Sequence, residues 1–171
     1  MLEREEIGEP VPPITLLERT CRTLCEIGIV AMAAVVILEL ITRNLFNFSF
    51  MMSDELGGYI VVGITFLSLP VCQVSRAYHH VLFVQARLSP RARAVSHLLF
   101  QLLSLGLCLL LVWQLTRYVL QTYDSGDIAP TELGTPLWIP QVVMPVGCLA
   151  LCVTLLRAIA MSVRRMLGVR S

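Results

Sequence analysis

A chain of 171 residues that is 56% hydrophobic and only 15% charged is too apolar for a soluble globular domain, and its mean hydropathy of +0.76 agrees. The net charge is +1, and the basic residues gather at the ends of apolar runs rather than on one face, which excludes an electrostatic footprint for nucleic acid. What remains is an all-α membrane protein.

Residues 1–13 carry Glu3, Glu5, Glu6 and Glu9 and close on Pro10, Pro12 and Pro13, which predicts an extended, mobile tail. An acidic arm with no small-x-small site does not read as a cleavable signal peptide. One continuous helix is expected over 15–47, with a first span at about 24–42. Glu39, Arg43 and Asn47 recur every fourth residue and share one stripe of that helix, in the favourable order for a Glu–Arg pair. An unpaired charge there costs at least ~2.5 kcal/mol, so pairing is expected. The pair either neutralises itself at the membrane edge or makes a polar contact with another helix or subunit.

Ser53 can cap a second helix, with Asp54 and Glu55 at its positive end, and the span runs over about 56–75. Tyr78–Leu88 is apolar but interrupted by His, Gln and Arg, which suits an interfacial helix along the inner leaflet. Ser89-Pro90 opens a third helix reaching about Thr122, with its span at 98–120. At 1.5 Å per residue it is about 50 Å long, so it should tilt or protrude. Asp124–Gly134 is a polar loop carrying Asp127 and Glu132. The fourth span, 138–161, begins with Trp138 at the interface belt and Pro140 in its first turn, and Pro145 predicts a kink or a loosened start. The whole is a single four-span domain.

All basic residues are Arg, and only Arg43 and Arg117 lie near the two loops that follow the first and third spans. Arg4, Arg19, Arg22, Arg76, Arg87, Arg91, Arg93, Arg157, Arg164, Arg165 and Arg170 lie at the other side, which places both termini in the cytoplasm.

Sites of chemistry are sparse. Cys21/Cys25 and Cys148/Cys152 share helix faces, but no matching His or Cys pair accompanies them, so Cys21, Cys25, Cys72, Cys108, Cys148 and Cys152 read as free thiols and no metal site is expected. His79, His80 and His97 fall at one membrane face, whereas a haem between helices needs facing histidines within the span. Glu26 is a carboxylate inside the first span, either a coupling site or a partner of Arg22 four residues earlier. No residues assemble a catalytic set, and no cofactor is expected.

The run Glu39-x-x-x-Arg43-x-x-Phe46-Asn47, then Asp54-Glu55-Leu56, then His80-Val81 resembles the first half of the small membrane subunit of tripartite ATP-independent periplasmic (TRAP) transporters, the DctQ-like family. Thr135-Pro136-Leu137-x-Ile139-Pro140 and Met144-Pro145-Val146-Gly147 are similar to that family's entry into its last span. The resemblance covers about 39–150 and implies structural or interface roles for Glu39, Arg43, Asn47, Glu55, His80, Pro136, Pro140 and Pro145. Ser68 stands where the family commonly has Gly, and Leu82 and Phe83 stand where a basic residue and Asp are usual, making that connection more apolar. The resemblance implies an inner-membrane scaffold for a large permease subunit, which carries the solute and sodium sites and is fed by a periplasmic solute-binding protein. The alternatives are a small proton-coupled exporter using Glu26, or a haem-bearing cytochrome subunit.

Overall fold

The computed structural model describes residues 15–46, 52–74, 90–130 and 134–166. Long uninterrupted apolar runs become long helices: α1 Leu16–Phe46, α2 Met52–Val74, α3 Pro90–Ser125, a single turn α4 Trp138–Gln141, and α5 Val143–Met166. Four stretches are long and apolar enough to cross a membrane, Leu16–Leu45, Asp54–Val74, Leu98–Ser125 and Trp138–Arg164. Each contains its sequence-expected span or, for the second, all of it but residue 75. The tail 1–13 and the interfacial helix expected at 78–88 lie outside the described residues.

The helix ends follow local chemistry. α1 opens on Thr15, whose N–H donates to Glu18 Oε2 at 2.6 Å, one arm of a capping box. α3 runs three residues past the expected Thr122 and stops at Gly126, whose φ of +66° is a left-handed cap. Gly126 N–H bonds to Tyr123 O and Asp127 N–H to Thr122 O, the paired bonds of a Schellman ending. The loop then folds back on itself: Ala129 N–H reaches Thr135 O at 2.9 Å, Leu137 N–H reaches Asp127 O at 3.1 Å, and Ile128 bridges to Pro136.

Pro140 and Pro145 together loosen the start of the last span, the second of the two outcomes expected for Pro145. Pro145 has no N–H to offer the carbonyl of Gln141, so the helix is interrupted at Val142 and resumes as α5. The chain keeps its course there, with Val142 N–H on Trp138 O and Val146 N–H on Val142 O.

The helices pack in a row, α1 on α2, α2 on α5, and α5 on α3, while α1 and α3 share no extensive contact. The last span is therefore central. A third of its window, 33%, is buried, against 6% for the first and 11% for the second and third.

Two seams show why these neighbours meet. Cys21, Cys25, Gly28, Val35 and Glu39 recur at heptad-like spacing along α1, and Cys25 Sγ–H points at Ile64 O of α2. A Cβ at Gly28 would lie 2.9 Å from Ile64 Cγ1, so the helices approach closely there. On α2, Pro70 is fully buried and removes the donor that Phe66 C=O would otherwise have one turn later. Gly147 of α5 packs against that freed carbonyl, since a Cβ there would sit 2.5 Å from Phe66 O. Proline and glycine thus act as a pair, one exposing a carbonyl and the other leaving room for it. α3 joins α5 through Cys108, Cys148, Cys152 and Leu155, with Leu105, Val112 and Leu115 around them.

Candidate functional site

Two polar clusters and two bare helix surfaces are the candidates. The first cluster lies where α1 begins and α5 approaches its end. Glu18 is only 4% exposed; besides the Thr15 N–H, its carboxylate takes Arg157 Nη1 at 3.1 Å. The same nitrogen donates to Thr15 Oγ1 at 2.6 Å, so one guanidinium clasps both ends of the α1 capping box. A buried carboxylate needs such partners, and here they tie the first helix to the last. Nearby, Ser162 Oγ donates to Gln101 Oε1 at 3.2 Å and fastens α5 to α3.

The second cluster lies at the opposite, acidic end. Glu55 is 8% exposed and accepts a hydrogen bond from the Tyr59 hydroxyl, against which the Thr135 side chain also lies. Tyr123 and Trp138 meet edge to face with centroids 5.6 Å apart, a pairing suited to an interface belt. Gln141 is buried at 8% exposure, and its Oε1 accepts no hydrogen bond among the described residues.

The thiols also cluster. Cys152 Sγ lies 3.1 Å from Cys108 Sγ, and Cys108 Sγ–H points at Cys148 O at 3.3 Å. All six cysteines are free, as the sequence suggested, and among the described residues no group of His, Cys, Asp and Glu could hold a metal ion.

Of the residues singled out in the sequence, Glu55 is drawn into the acidic-end cluster, Pro136 into the bridge with Ile128, and Pro140 into α4, while Pro145 is buried in the first turn of α5. Asn47, His79 and His80 lie outside the described residues. Arg22 and Glu26 pair at 2.9 Å, the bland alternative for Glu26, with both side chains more than half exposed.

The expected Glu39–Arg43 pair does not form: no ion pair among the described residues joins them. Glu39 is half-buried on the stripe of α1 that carries Gly28 and meets α2, whereas Arg43 is exposed in the last turn. There the negative end of the helix dipole and the nearby membrane surface accommodate a cation without a carboxylate. Sequence reasoning missed Glu18 and Arg157 as a pair. The Thr15-x-x-Glu18 capping box was legible, but nothing local pointed to a partner 139 residues away.

Residues 32–165 match the family described as tripartite ATP-independent periplasmic transporters, DctQ component. The chain belongs to the DctQ family. The match covers the last part of α1 and everything through α5, so the row of helices, the acidic-end cluster and Arg157 are all within it. A search of curated proteins finds no match. As a DctQ member, the chain is the small membrane component of a TRAP transporter, built as a multi-pass helical membrane protein.

Proposed function

We propose that this chain acts as a non-enzymatic scaffold that braces the large TRAP subunit in the bacterial inner membrane during binding-protein-dependent solute uptake. The solute class is organic acids, and both termini face the cytoplasm. The observation that carries this reading is the open row. Four spans leave most of their surface uncovered, and only the last is substantially enclosed by its neighbours. A self-sufficient carrier needs a pathway lined by polar groups and unwound backbone at mid-depth. Here the mid-depth seam is filled by Cys108, Cys148, Cys152 and Leu155 instead. The arginines at one end of the row and the carboxylates Asp54, Glu55, Asp124 and Asp127 at the other support the orientation.

The small-exporter reading needs Glu26 in a shared, accessible cavity. Glu26 instead holds Arg22 on the open side of α1. Reconstitution tests the proposal. The chain alone in proteoliposomes should move neither organic acids nor lipophilic cations, and uptake should appear when the large subunit and the binding protein are added. Ethidium transport by the chain alone, abolished by Glu26→Gln, would replace this reading with the exporter.

A further inference from the structure

Polar side chains along membrane helices have to find hydrogen bonds, because lipid offers none. Most hydroxyls here close onto their own backbone: Thr20 on Leu16 O, Thr23 on Arg19 O, Thr42 on Leu38 O, Thr65 on Val61 O and Thr116 on Val112 O. The outer half of α3 breaks this pattern. Gln114, Arg117 and Gln121 are exposed, and among the described residues none of them makes a hydrogen bond or an ion pair.

Their placement is specific in two directions. Around the helix, at about 100° per residue, Leu105, Cys108, Val112 and Leu115 form the side toward α5, and Gln114, Arg117 and Gln121 centre on the opposite side. They therefore point out of the end of the row. Along the helix, the Tyr123–Trp138 pair marks the interface belt. Gln114 is nine residues below Tyr123, about 13 Å, and Arg117 six residues below, about 9 Å. The long arginine side chain can reach back toward a headgroup phosphate. The shorter Gln114 amide cannot, so lipid alone leaves it unsatisfied.

We infer that the outward side of α3 at the acidic end, centred on Gln114, Arg117 and Gln121, is the seat of a membrane helix of the large subunit that presents a carboxylate or other hydrogen-bond acceptors at that depth. The inference rests on the small-subunit reading and adds which edge of the row meets the partner. Arg117 supplies a cation for an acceptor on the incoming helix, and the two glutamines supply donors and acceptors on either side of it. Trp113, 67% exposed beside this stripe, adds apolar area to the same contact. The outward side of α1 carries no such set at depth: Val30 and Ile37 are exposed, Glu26 is occupied by Arg22, and Asn44 stands only in the last turn of the helix.

The test places the photo-crosslinking amino acid p-benzoylphenylalanine at Gln114, Gln121, Val30 or Ile37 in the chain co-expressed with the TRAP large subunit of the same genome. Crosslinks to the large subunit from 114 and 121, and none from 30 and 37, are expected. In the otherwise unmodified complex, Gln114→Leu should lower retention of the large subunit about threefold, the equivalent of the ~0.6 kcal/mol typical of a hydrogen bond between membrane helices. Crosslinks from 114 and 121 only to lipid or to a second copy of this chain, while the large subunit still co-purifies, overturn the docking face and leave the small-subunit reading standing. Failure of the large subunit to co-purify with the unmodified chain overturns both.

Discussion

α1 and α3 stand at opposite ends of the row and are almost equally bare, with 6% and 11% of their spans buried, yet their exposed sides differ in kind. The outward side of α1 is aliphatic at mid-depth, with Val30 and Ile37 at its centre; Arg22 holds Glu26, Thr23 bonds to its own backbone, and Asn44 extends the stripe only within the last turn. The outward side of α3 carries Gln114, Arg117 and Gln121 well below the Tyr123–Trp138 belt and satisfies none of them among the described residues. Exposure of apolar surface does not by itself distinguish a lipid-facing helix from a partner-facing one, because acyl chains cover leucine as well as a protein does. Unsatisfied polar groups at depth do distinguish them.

The two edges are also fastened differently, and the largest expected effect comes from unfastening α1. Arg157→Ala leaves Glu18 buried with only the Thr15 N–H, and removing one member of a buried pair costs on the order of 3 kcal/mol. Thermal unfolding in detergent should show a clear drop for this variant. Replacing both members, Glu18→Leu with Arg157→Leu, should recover most of it. A smaller loss is expected from Gly147→Ala, which drives a methyl group into the Phe66 carbonyl that Pro70 leaves free and pushes α2 from α5. Overpacking of this kind costs about 2 kcal/mol, readable in the same melt. If Gly147→Ala is neutral, the two helices are not locked at that point.

Weaker still, Glu26→Gln should leave uptake by the assembled transporter unchanged. It breaks an exposed pair, and exposed pairs contribute about 0–1 kcal/mol. An uptake assay in proteoliposomes containing the complete complex checks this, and loss of uptake would make α1 more than a lipid-facing edge.

Much of this was legible in the sequence. Ser89-Pro90 announced α3, and Pro140 with Pro145 announced a loosened entry to the last span; Asp54 and Glu55 lie in the first turn of α2 as expected, but that helix begins by Met52, so Ser53 is inside it rather than its cap. These signals are local: a cap, a dipole, a missing N–H. The side-by-side order of the helices was not legible, because each is apolar nearly all round and periodicity could not say which faces meet. For the same reason the role of Gly147 depended on Pro70, 77 residues earlier, through a carbonyl that neither residue owns. Glu39 and Arg43 misled because their spacing is right for a pair, while the seam with α2 takes Glu39 and the helix end takes Arg43.

The contrast between the two edges is tested most directly by a structure of the assembled complex in a lipid nanodisc. The account predicts large-subunit polar atoms within about 3.5 Å of the Gln114 and Arg117 side chains, and acyl chains against Val30 and Ile37. A large subunit seated on α1, with lipid covering Gln114 and Arg117, would contradict it.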